Sequence, residues 1–225
     1  MRLIAGLAAA ATITAVAAVP ASAAKKKPRP VPKSCNVVFD DAGDASLDSN
    51  IPSDDSLDIV GGDFASNGKK ITGVIKVKAL QAQNPRSPLG QLYFAIFTVK
   101  GNTTPLTLSA TLAPTGTVYS FGYQGEDPTT KVNTSYTVGT AVGKITGNEI
   151  KISANIAAFP QKASLKNGNP VTSLVVETRT LAGQRAVPSQ EVGPVRVPLG
   201  GGTLLADEAT AKKYTLGAPS CVTHL

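Results

Sequence analysis

Apolar and polar residues alternate with period two in several stretches of the chain. In ITGVIKVKAL at 71–80, Ile71, Ile75 and Val77 fall on one face and Lys76 and Lys78 on the other. Leu106, Leu108, Ala110 and Leu112 alternate with Thr107, Ser109 and Thr111, and Ile150, Ile152, Ala154 and Ile156 alternate with Lys151, Ser153 and Asn155. Successive side chains of a strand point to opposite faces, so this pattern predicts half-buried strands of antiparallel sheets. Residues 92–99, LYFAIFTV, are apolar on both faces and predict a central strand. Turn signals separate the runs, among them Asn67-Gly68, Asn84-Pro85, Gly101-Asn102 and Gly147-Asn148. Only ADEATAKK at 206–213 reads as a helix, and a short one. The prediction is an all-β chain: an antiparallel two-sheet β-sandwich, jelly-roll-like, with about ten strands.

The ends change this picture. One base, Arg2, precedes an apolar run from Leu3 to Val19, followed by Ala21-Ser22-Ala23. That order of charge, apolar segment and small-x-small site predicts a secretory signal peptide over 1–23. AKKKPRPVPKS at 24–34 holds five bases and three prolines and predicts an extended linker, since proline fixes φ and donates no hydrogen bond. Residues 35–225 then form a single β-sandwich domain. The whole chain carries +7, but Arg2 and the linker hold six of the twenty-two bases, leaving sixteen against fifteen acids. A basic nucleic-acid-binding body is therefore not expected. No later segment is long and apolar enough to span a membrane. The only cysteines, Cys35 and Cys221, bracket the domain. In a secreted chain two cysteines predict one disulfide, which brings the first and last strands together.

Catalytic signatures are scarce. The one histidine, His224, is the second-last residue, and no Gly-x-Ser-x-Gly, His-Glu-x-x-His or zinc cluster occurs. A carboxylate pair about 5–10 Å apart is the remaining enzymatic route. Glu126, Asp127, Glu149, Glu177, Glu191, Asp207 and Glu208 are available for it. Glu177 stands out in VVETR at 175–179, where a solvent-face pair with Arg179 is the simpler reading. Tyr119, Phe121 and Tyr123 share one face of a predicted strand. Such a row can stack on a sugar ring as a ligand platform, or it can belong to the core.

Residues 39–64 hold eight aspartates (40, 41, 44, 48, 54, 55, 58 and 63) and no base. Calcium takes six to eight oxygens, so Asp40, Asp41, Asp44 and Asp58 are its candidate ligands. The competing reading is a solvated loop of turn formers. VFDDAGD at 38–44, SLDI at 56–59 and ITGVIKV at 71–77 resemble the opening of exported β-sandwiches related to DOMON domains and family 9 carbohydrate-binding modules. NEIKIS at 148–153 and the ending YTLGAPSC at 214–221 fit the same type. The resemblance implies a sandwich with a ligand or calcium site. It departs in having no Trp, and the only Met is Met1. The expectation is a secreted, monomeric, non-catalytic module that binds a polysaccharide or anionic cell-wall polymer, with calcium as its ion. The alternatives are a carboxylate-dependent glycan hydrolase using Glu177 or Glu149, and an extracellular adhesion module tethered by the basic linker.

Overall fold

A computed structural model describes residues 35–46, 53–129, 131, 133–181 and 203–222, all within the unit Val31–Leu225. The expected signal peptide, the linker and His224 lie outside the described residues. Eleven strands follow in chain order. They are β1 (Ile59–Ser66), β2 (Lys70–Val77), β3 (Gln91–Val99), β4 (Leu106–Ala113), β5 (Gly116–Glu126) and β6 (Asn133–Thr140). After them come β7 (Val142–Thr146), β8 (Glu149–Asn155), β9 (Pro170–Leu181), β10 (Thr203–Thr210) and β11 (Tyr214–Thr215).

The strands form two antiparallel sheets. One has the order β1-β2-β8-β7; the other has β10-β9-β3-β4-β5-β6, with β11 pairing the start of β9. The chain runs β3 to β6 as a meander within the larger sheet and changes sheet after β2, β6 and β8. The expected two-sheet architecture is what the structure shows.

Burial explains why these segments become these strands. Ile71, Ile75 and Val77 of β2, Ile150, Ile152 and Ala154 of β8, and Leu106, Leu108, Ala110 and Leu112 of β4 all enter one core between the sheets. The lysines and hydroxyls alternating with them stay on the outer faces. β3 lies between β9 and β4 and is buried on both sides, with Tyr93, Ala95, Phe97 and Val99 in the core and Leu92, Phe94 and Ile96 in a second apolar cluster opposite. Phe64, Phe97, Phe159 and Phe121 form an aromatic chain through the core, with successive ring centroids 5.0, 6.3 and 4.8 Å apart.

One element differs from the expectation. Residues 206–213 form no helix; Thr203–Thr210 is β10, paired along β9 with Ala206 and Ala209 buried. Helix propensities differ by well under about 1 kcal/mol per residue for ordinary side chains, so a sheet edge that supplies both ladder bonds and burial overrides them. The described residues hold no α-helix, only 3-10 turns at Ile156–Ala158 and Lys162–Ser164.

The two ends of the domain meet. Cys35 and Cys221 form a disulfide with their Cα atoms 5.1 Å apart. Val38 bridges Gly62 on β1 and Ala211 just beyond β10, and Lys212 N–H donates to Val37 O at 2.8 Å. Gly61 and Gly62 make this approach possible: Gly61 has φ +148°, and a Cβ on Gly62 would lie 2.4 Å from Val74 O and 3.3 Å from Val38 Cβ. Gly62→Ala is accordingly expected to destabilise the domain by about 1–3 kcal/mol, as overpacking does. A denaturant midpoint equal to wild type would show that the backbone relaxes freely there.

Candidate functional site

The acidic N-terminal stretch resolves into separate tasks. Asp54 is buried in a polar network, its Oδ1 accepting from Ser56 N–H at 3.1 Å and its Oδ2 from Asn84 Nδ2 at 2.7 Å. Asp55 pairs with Lys78 Nζ at 2.7 Å. The Asp63 carboxyl accepts backbone amides of Asn36, Val37 and Phe64 and so holds the segment that leads to Val38. Burial nevertheless raises its pKa. Asp48 lies outside the described residues.

Of the four predicted metal ligands, the structure brings two together. Asp58 is fully buried, and both its oxygens accept from Gly43 N–H, at 3.0 and 2.8 Å. Gly43, at φ +103°, takes a turn that a larger residue rarely adopts. Asp58 therefore shapes the 39–46 loop rather than offering a free carboxylate. Burial raises its pKa, partly offset by the Gly43 amide and by Lys78. Asp41 is exposed, and its N–H donates to Asp40 Oδ1 at 3.0 Å.

Asp40 and Asp44 instead converge with Asp207, which the sequence offers only as one of several carboxylates for a hydrolase. One carboxylate oxygen from each of the three lies within 4.8 Å of the others. Two oxygens on one calcium ion, each about 2.4 Å from it, can be at most that far apart. Asp207 sits beside a register shift of β10 between Leu205 and Asp207, which turns its side chain into the domain. Its Oδ2 accepts from Ile59 N–H at 2.7 Å and its Oδ1 from Glu208 N–H at 2.8 Å. The loop is tied alongside by Ser46 N–H donating to Ala206 O at 2.9 Å. The Oδ2 of Asp40 is buried and has no hydrogen-bond partner. Among the described residues no lysine or arginine forms an ion pair with any of these three aspartates. A carboxylate that meets two others and carries a buried, unpartnered oxygen fits a hard cation with oxygen ligands. Asp44 is exposed, Asp40 half-buried and Asp207 buried, so the cup opens on the Asp44 side.

The electrostatics follow from this crowding. Burial pushes the Asp207 pKa up to about 6, and the charges of Asp40 and Asp44 add to the rise while the Ile59 and Glu208 amides oppose it. Burial also raises Asp40, helped by Asp44, Asp41 and Asp58. A carboxyl with a raised folded pKa holds its proton longer in the native state than in the unfolded chain. The stability it contributes is present below the unfolded pKa and is lost as pH rises through the folded one. Asp40 and Asp44 crowd Asp207, and Asp58 adds to the charge on Asp40; of the nearby bases, Lys78 pairs with Asp55 and Asp58 and Lys212 lies over the Phe39 ring. The metal-free protein is therefore expected to melt lower at about pH 7.5 than at about pH 5. Saturating calcium is expected to remove that difference. Melting curves at both pH values, with EDTA and with calcium, check it; an acid-labile metal-free protein would contradict the arrangement.

The aromatic row turns inward. Phe121 is buried in the core, and Tyr119 and Tyr123 are partly buried against it, with Tyr123 stacked on Tyr136 at 5.2 Å. Its placement is that of core packing, not of an exposed platform. Glu177 Oε2 accepts from two Arg179 nitrogens, Nε at 2.9 Å and Nη2 at 2.6 Å, and the Arg179 guanidinium lies 6.0 Å from the Phe94 ring centre. Glu149 is on the other sheet, 3.1 Å from Lys76 Nζ. Glu177 and Glu149 thus do not face one another across a cleft.

The outer face of the larger sheet carries a shallow trough beside Leu92 and Phe94, rimmed by hydroxyls of Thr107, Ser109, Thr111, Ser120, Ser135 and Thr137. No described helix is long and apolar enough to cross a membrane. No family model, curated protein or solved structure matches the chain.

Proposed function

We propose that this protein is an exported, non-catalytic binding module for a carbohydrate or other cell-surface polymer. In this reading a calcium ion on Asp40, Asp44 and Asp207 fastens its N-terminal loop to its last long strand. The observation that carries the proposal is the meeting of three carboxylates from opposite ends of the chain, one of them with an unpartnered buried oxygen. Calcium suits the set because all the donors are oxygens and the open Asp44 side leaves room for water and backbone carbonyls. The ion would neutralise the cluster and hold the loop; no chemical step is assigned to it.

Export is supported by the leader pattern and by the disulfide. A hydroxylated partner is favoured by the side chains on the outer sheet face, where Ser109 Oγ and Ser120 Oγ lie 2.7 Å apart beside the apolar Leu92 and Phe94. The ion pairs of Glu177 and Glu149 favour binding over hydrolysis.

The test is retention of the purified protein on insoluble polysaccharides and cell-wall fractions, in calcium and in EDTA. Retention on at least one of them, weakened by EDTA, is expected. Absence of retention on every fraction in calcium would sink the binding-module reading.

A further inference from the structure

A cavity of about 370 Å³ opens between the 78–90 loop and the turn that joins β4 to β5. It lies at the lower end of the range for small-molecule sites, about 300–1,000 Å³. Pro85, Leu112 and Pro114 supply an apolar wall, and Asn84, Ser87 and Gln91 supply polar groups. All three polar residues are more than nine-tenths buried. No charged side chain lines the cavity among the described residues.

The polar groups are held from behind. Asn84 Nδ2 donates to Asp54 Oδ2 and to Ser56 Oγ, both at 2.7 Å. Gln91 Oε1 is 2.6 Å from Ser56 Oγ and 2.7 Å from Tyr93 Oη, and Gln91 Nε2 donates to Gln81 O at 2.8 Å. Tyr93 and Ser56 are themselves fully buried. Each amide group is thus fixed in orientation by atoms that do not face the cavity, as a preorganised site requires. An Nε2 group has two hydrogens and an amide oxygen two lone pairs. Gln91 therefore keeps a donor beyond its bond to Gln81, and Asn84 Oδ1, which accepts Arg86 N–H at 2.9 Å, keeps an acceptor site.

Ser87 supplies the independent pointer. The residue is 3 % exposed, and its Oγ has no hydrogen-bond partner. A buried hydroxyl without a partner loses free energy that a bound ligand can return, and one χ1 rotation redirects it.

We propose that this cavity binds one neutral sugar residue, its C–H face on Leu112 and the prolines and its hydroxyls on Asn84, Ser87 and Gln91. Neutrality follows from the uncharged lining, and the combination of an apolar face with several hydroxyls follows from the two unlike walls. This site rests on the binding-module reading but not on the cation, which it does not touch.

The experiment is a titration of the ¹⁵N-labelled full chain, disulfide intact, with glucose, galactose, mannose and N-acetylglucosamine, each in calcium and in EDTA. At least one sugar is expected to move the side-chain amide signals of Asn84 and Gln91 saturably under both conditions. Ala82→Trp, which fills the mouth from an exposed position, abolishes the response. Ser87→Ala weakens affinity about three- to tenfold, the value of one neutral hydrogen bond. Both variants keep the wild-type calcium response; Ala82→Trp keeps the wild-type melting temperature, and Ser87→Ala melts at or slightly above it. The proposal is overturned if none of the four sugars moves those signals, if Ala82→Trp leaves binding unchanged, or if the shifts fall on the Phe94 and Thr137 face instead. Loss of the calcium response with the sugar response intact would count against the cation reading alone.

Discussion

Calcium is expected to raise the melting temperature of the protein by about 5–10 °C over its value in EDTA. A ligand that binds only the folded state stabilises it by about 2.7 kcal/mol at a hundredfold excess over Kd, and each kcal/mol moves the midpoint of a domain of this size by about 2–4 °C. Asp207→Asn is the diagnostic variant. If Asp207 only braced the fold through Ile59 and Glu208, its replacement would lower the melting point in EDTA. If it is a ligand in a repelling cluster, the variant removes a buried charge whose pKa is already pushed up to about 6. The metal-free variant then melts as high as wild type or higher at neutral pH, and the calcium increment disappears. Asp41→Asn, at an exposed carboxylate outside the cluster, keeps the increment. A calcium shift unaltered in Asp207→Asn would place the ion elsewhere.

Breaking the Cys35–Cys221 link is the second large effect. The bridge closes 186 residues of sequence. Loss of a native disulfide typically destabilises a domain by about 2–5 kcal/mol, with long loops toward the upper end. The double variant Cys35→Ala, Cys221→Ala should show that drop in chemical unfolding. It should also need more calcium to reach half of its stabilisation, because Asp40 follows Cys35 closely and Asp207 precedes Cys221. A double variant that matched oxidised wild type in both measurements would mean that Val38, Gly62 and Ala211 hold the ends together unaided.

The faces of β2, β4 and β8 were legible residue by residue, because period-two alternation reports which side of a strand is wet. Burial on both sides of β3 was legible for the same reason. Residues 206–213 were not, because Ala, Glu and Lys favour a helix locally and nothing in their spacing reveals that β9 has an edge to fill. The candidate metal site was half legible. Asp40 and Asp44 lie in an acidic run, but composition cannot show that Gly43 takes up the Asp58 carboxylate or that Asp41 points outward. Asp207 was hidden by its distance along the chain, although the two cysteines carried the clue: if 35 and 221 touch, acids just inside them become neighbours. The cavity was the least visible. Asn84-Pro85 announces a turn, but the support comes from two other places in the sequence, the turn holding Asp54 and Ser56 and the strand holding Tyr93.

The docking of Val38 between Gly62 and Ala211 also governs when the domain can fold. The central pair β3 and β9 joins Phe94 to Glu177, and the N-terminal segment waits for a residue near the other end. Contacts this far apart in sequence must close large loops before they gain anything, so assembly is slow compared with that of helical chains. A ribosome or a translocation channel that still holds the last strands keeps the sandwich open. On the export route proposed above, that delay would be an advantage: a chain threaded through a narrow pore would stay pliable in transit and lock only once its tail had been released.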